Sequence, residues 1–119
     1  MPAIPERRTE HRRAFLGRVL QELKSQGYVP LQHAYAGSSL RIVALRDNRI
    51  TILAVRQTKR RVVRLSSVIR RYSTDIAYLS GMDACHGEQR ELWLYYPREG
   101  FRKYVVEGDG VIGEAKGPP

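Results

Sequence analysis

The stretch Leu40–Lys59, LRIVALRDNRITILAVRQTK, places the tightest constraint on how this chain can fold. Two runs rich in Ile, Val and Leu flank the polar pair Asp47-Asn48. Asp and Asn tolerate the positive φ angles of a two-residue turn, so the stretch predicts a β-hairpin with that pair as its loop. Arg46 is then opposite Arg49, and stepping back along one strand while stepping forward along the other sets Arg41 opposite Ala54. Side chains alternate between faces along a strand, which adds Arg56 to the face of Arg41 and Ala54. Arg41 and Arg56 become diagonal neighbours, roughly 7–8 Å apart between backbones. Two guanidinium groups and an alanine thus meet at one end of an otherwise apolar face.

The flanking segments supply the rest of a small α/β domain. Met1 to Glu6 holds two prolines and reads as a loose lead-in, taken to residue 8. Thr9 can cap a helix running to about Gln26, with Gly27 as its stop. Phe15, Leu16, Val19, Leu20 and Leu23 recur at helical spacing, while Glu10 and Glu22 read as solvent-facing. Tyr28 to His33 predicts a first strand, in which Pro30 implies an edge position or an irregularity. Past the hairpin, Ser66 can cap a helix over about Ser67 to Ser80. Its apolar face is Val68, Ile69, Tyr72, Ile76 and Leu79, with Arg70, Arg71 and Asp75 pointing elsewhere, and Gly81 ends it. Glu91 to Tyr96 and Phe101 to Val106 predict two closing strands around a turn at Pro97 to Gly100. Residues 108–119 are rich in Gly and Pro and read as a disordered tail, which leaves a single domain over 9–107.

Charge bears on function. Lys and Arg number 21 against 12 acidic residues, a formal net charge of +9. Asn48 to Thr74 contains no acidic residue, and Arg49, Arg56, Lys59, Arg60, Arg61, Arg64, Arg70 and Arg71 all lie there. A local field of that sign favours a polyanion, with DNA or RNA first among partners. There is no run of apolar residues long enough to span a bilayer and no signal-peptide pattern, so a membrane role is not expected. The lone Cys85 excludes an internal disulfide framework and points to the cytoplasm. Cys85 and the adjacent His86 do not make a metal site, which usually needs four ligands from separated positions. His33 has no carboxylate nearby in sequence and reads as structural or surface. Trp93, Tyr95 and Tyr96 can stack on unpaired bases, although such a stripe more often packs a core or an interface.

The run from Arg41 to Arg56 resembles the core hairpin of archaeal-type Holliday junction resolvases, members of the PD-(D/E)XK nuclease superfamily. That family carries an Asp on one strand and a Glu-x-Lys on the next. Aligned without a gap, its Asp falls on Arg41, its Glu on Ala54 and its Lys on Arg56. Ala36-Gly37-Ser38-Ser39 looks like the small-residue loop that precedes the family's Asp, and the order of elements is similar over about residues 9 to 107. The resemblance implies a restriction-endonuclease-like core, a mixed sheet of about five strands flanked by two helices. It also implies a homodimer. Family members hold Mg²⁺ on the hairpin acids, because that hard cation needs oxygen ligands. A further family Glu on the first helix falls near Leu16, inside the apolar face. Arginine has no lone pair to offer a metal and stays protonated, so neither metal nor other cofactor is expected.

The expected function is therefore a catalytically inactive, nuclease-like DNA-binding protein, with branched DNA among its targets. Ser38, Ser39, Arg41, Arg56, Lys59, Arg60, Arg61 and Arg64 are the expected nucleic-acid contacts, and Arg41, Ala54 and Arg56 are the degenerate catalytic positions. Two alternatives stand beside it. One is an interaction or regulatory subunit that pairs with an active resolvase or another repair protein. The other is an active structure-specific endonuclease whose acids have moved, with Glu10, Asp47, Asp75 and Glu91 as candidates.

Overall fold

The computed structural model describes residues 6–59, 64–81, 88–108, 110 and 112–114. Among these residues, three helices and six strands follow in the order α1 (Glu6–Ser25), β1 (Val29–Ala36), β2 (Ser39–Arg46), β3 (Arg49–Gln57), α2 (Leu65–Arg71), α3 (Ser73–Gly81), β4 (Gln89–Tyr96), β5 (Gly100–Val106) and β6 (Ile112–Glu114). The strands form one sheet in sequence order, antiparallel throughout except for the parallel pair β3–β4. A parallel pair needs a long crossover, and α2 and α3 supply it.

The hairpin forms as its turn chemistry demands. Asp47 and Asn48 both have positive φ, 53° and 62°, and Arg46 pairs with Arg49. Arg41 pairs with Ala54, the register read from the sequence. Gly27 ends α1 at φ 84°, with the Tyr28 N–H bonded to the Leu23 carbonyl and the Gly27 N–H to the Lys24 carbonyl. That pair of bonds satisfies carbonyls the helix would otherwise leave open. Pro30 lies on the edge strand β1, and a register shift follows between Pro30 and Gln32.

Two cores sandwich the sheet. On one face Phe15, Val19 and Leu23 of α1 pack over Leu40, Ile42, Leu53, Val55, Trp93 and Tyr95. On the other, Val68 of α2, Ile76 and Leu79 of α3, and Tyr72 between the two helices cover Ile52, Ala54, Leu92, Leu94 and Tyr104. Each fully buried aliphatic side chain contributes about 1.5–3 kcal/mol, so the two layers fix both helical faces. No helix among the described residues is long and apolar enough to cross a membrane.

Several expectations are corrected. α1 begins at Glu6 rather than after Thr9, since Glu6, Arg7 and Arg8 are good helix formers. The second helix is two: Tyr72 leaves helical geometry at φ −110° and ψ 30°, and α3 starts at Ser73. Ser66 does not cap it. Arg64 is the extended residue before α2, and its carbonyl accepts from the N–H groups of Ser67 and Val68. The sheet has six strands rather than about five, because Ile112–Glu114 pairs with β5 and buries Ile112 within the stretch expected to be a tail. β1 runs to Ala36, past His33, which is exposed.

Candidate nucleic-acid interface

The start of β2 and the ends of β3 and β4 meet at one end of the sheet. In open α/β sheets, ligands bind beyond the carboxyl ends of parallel strands, where loops can open a crevice. Arg41, Ala54 and Arg56 share the face covered by α2 and α3, as strand alternation requires. Ala54 is fully buried between Arg41 on β2 and Leu92 on β4.

Each arginine is held differently. The Arg41 guanidinium stacks on the Tyr78 ring of α3, 3.7 Å from its centroid. Its Nε is buried with no hydrogen-bond partner among the described residues. Arg56 donates to the Asp75 carboxylate at 3.3 Å and lies 5.5 Å from the Tyr72 ring centroid. Ser39, two residues before Arg41 and on the same face, is buried, and its Oγ also lacks a partner among the described residues. An unpaired buried donor costs about 1–3 kcal/mol, and both atoms are covered by the surrounding structure, so an oxygen would reach them only if the corner shifted to admit it.

Asp75 is the residue that sequence reasoning misplaced. It is buried in the middle of the helical face rather than pointing away. The signal was present: Val68, Tyr72, Asp75 and Leu79 are spaced four, three and four apart, which is one stripe of a helix. Arg102 was also overlooked as a neighbour of Arg56. Arg56 pairs with Leu94, and Leu94 with Arg102, which puts Arg102 two strands away in the same row. Only the parallel register of β3 and β4 reveals that row.

The other candidates scatter. Glu91 is buried on the α1 face, where its carboxylate accepts from Tyr28 Oη at 3.2 Å, Trp93 Nε1 at 3.0 Å and Gln89 Nε2 at 3.2 Å. Burial, then the Glu91 charge, pushes the Tyr28 phenol above its ordinary pKa, partly opposed by Arg46. Asp47 lies at the opposite end of the hairpin, and Glu10 is exposed on α1. Among the described residues no three His, Cys, Asp or Glu side chains come together. The corner therefore does not fit the divalent cation that the resemblance implies: Arg41, Ala54 and Arg56 offer no side-chain oxygen, and Asp75 is committed to Arg56. Ser38, Lys59 and Arg64 are exposed, whereas Arg60, Arg61, Cys85 and His86 lie outside the described residues. Trp93, Tyr95 and Tyr96 are buried and so unable to stack on a base.

No protein-family model, no curated protein and no solved structure matches the chain.

Proposed function

We propose that the chain is a catalytically inactive, nuclease-like protein that binds the DNA backbone at the Arg41–Arg56 end of its sheet. The observation that carries this reading is the pairing of Arg41 with Ala54, beside Arg56 and the unpartnered Ser39 hydroxyl. The resemblance puts metal-binding acids at Arg41 and Ala54; here a guanidinium and a methyl group stand there. Arginine recognises phosphate through a planar fork of donors, so this corner suits a backbone phosphate. The order of elements, an antiparallel three-strand unit followed by a helical crossover to a parallel strand, supports a restriction-endonuclease-like core. Lys59 and Arg64, exposed at either end of the link from β3 to α2, extend the positive surface.

A homodimer, with its branched-DNA preference, is part of this reading. Val29 pairs with Leu45, and Leu45 with Ile50, giving an apolar row in which Val29 and Ile50 are exposed. A second copy can cover it.

Titration of labelled duplex, single-stranded and four-way DNA at two salt concentrations tests the proposal. Affinity should fall steeply with salt, and Arg60→Ala with Arg61→Ala should lower the slope by about two. Affinity indifferent to salt would instead favour the regulatory-subunit reading, in which the charge meets an acidic protein. Mg²⁺- or Mn²⁺-dependent cleavage by pure protein would restore the enzyme.

A further inference from the structure

On the opposite side of the sheet from Arg41, α1, β1 and the β1–β2 turn flank an open pocket of about 180 Å³. His11, Arg12 and Phe15 line it from α1, Tyr35 from the end of β1, Ser38 from the turn, and Gln57 from the end of β3. It is built rather than incidental. The Arg12 guanidinium lies over the Tyr35 ring, 4.7 Å from its centroid, and donates to the Gly37 carbonyl at 3.1 Å. Tyr35 Oη donates in return to the Arg12 carbonyl at 3.2 Å. Helix and turn are thereby fastened to each other around the opening. Burial raises the Tyr35 pKa, with Arg12 opposing, so the ring presents a neutral phenol at physiological pH.

The lining defines a ligand class. The half-buried Tyr35 ring and the exposed Arg12 guanidinium stacked on it offer flat surfaces for a planar ring, above a floor made by the buried Phe15. His11, Ser38 and Gln57 are exposed and hydrogen-bond to no other described side chain. Together they supply both donors and acceptors, as the edge of a nucleobase requires and a simple anion does not. Pockets for drug-sized ligands run to about 300–1,000 Å³, so this one suits a single small ring system. It also opens at the same end of the sheet as the arginine corner: Ser38 lines it, while the adjacent Ser39 faces Arg41.

We infer that this cavity receives one unpaired nucleobase, from a single-stranded overhang or a frayed junction arm, while the Arg41–Arg56 corner holds the backbone. A base inside a duplex is stacked and paired on its edge, so it cannot enter. The inference rests on the nucleic-acid reading above and adds a preference that backbone contacts alone do not create.

The test uses the full chain and two duplexes, one blunt and one carrying a single-stranded overhang with 2-aminopurine. Wild type should bind the overhang about tenfold more tightly, the range expected for stacking one base on an aromatic ring, and should quench its fluorescence. Tyr35→Leu and Gln57→Ala should each reduce quenching and preference while binding the blunt duplex as wild type does. Gln57 is exposed, so its variant keeps the fold even if loss of the Arg12–Tyr35 contact loosens the other. Equal affinity for both duplexes overturns the inference and leaves the backbone site standing, as does a preference that survives both substitutions. Failure to bind either duplex overturns both.

Discussion

Replacing Asp75 by asparagine separates a binding corner from a purely structural ion pair. Asp75 Oδ2 sits 3.3 Å from Arg56 Nη1, and the Arg56 side chain is 31% exposed against 2% for Asp75. A phosphate accepting from the same guanidinium would lie roughly 6 Å from that carboxylate, where two like charges repel by about 3 kcal/mol at an effective dielectric constant of about 20. Solvent at the partly exposed Arg56 screens about half of this, leaving roughly 1.4 kcal/mol, a tenfold change in affinity. The asparagine amide keeps an acceptor for Arg56 but removes the charge. Asp75→Asn should therefore tighten DNA binding about tenfold in a fluorescence-anisotropy titration. The loss of an ion pair with one partly exposed partner costs about 0.5–1 kcal/mol, seen as a Tm lower by a few degrees. The two readouts move in opposite directions, less stable yet tighter. A variant that loses stability with unchanged affinity would show that no phosphate approaches Arg56, and would refute the placement of the site.

Two further outcomes follow from the same geometry. Burial is the largest cause of the raised pKa of Tyr28, Tyr35 and Tyr104, which favours their neutral forms in the folded chain. Their contribution to stability is fully present below the unfolded phenol value of about 10 and is lost as pH rises through the folded values. Urea midpoints should hold level from mildly alkaline pH to about 10 and then fall, and a midpoint unaffected by still higher pH contradicts that burial. The triple substitution Arg41→Asp, Ala54→Glu and Arg56→Lys puts two carboxylates on the strands that flank Asp75, and calorimetry should then detect Mn²⁺ binding tighter than that of the native chain. Silence in that titration, with the fold intact by circular dichroism, argues against a corner shaped like the family's metal site.

How much of this was readable from residues alone depended on the range of the contact. Arg41 opposite Ala54 was legible because the turn is local: Asp47 and Asn48 accept positive φ, and register follows by counting. The end of α1 was legible for the same reason at Gly27. Asp75 is hard to read because its polarity conflicts with its periodicity; a lone carboxylate in an apolar stripe looks like an exception until Arg56 is known to lie beside it. Strand β6 was lost because Gly108, Gly110 and Gly113 dominate the composition, whereas one buried Ile112 decides the pairing. The Arg12–Tyr35 contact joins residues 23 apart through the packing of α1 on the sheet, and neither segment announces the other.

The register shift after Pro30 constrains how copies of this molecule can associate. Proline cannot donate from its backbone, and the register shift breaks the regular spacing of the outermost strand, so another chain meets an interrupted ladder there. At the far margin β6 offers only three residues. Growth by strand addition is thus obstructed on both flanks, which protects a protein with exposed Val29 and Leu31 from open-ended fibre formation. The exposed Val29 and Ile50 lie in a row across the strands rather than along the edge, so a neighbour that covered them would meet side chains and no free backbone ladder.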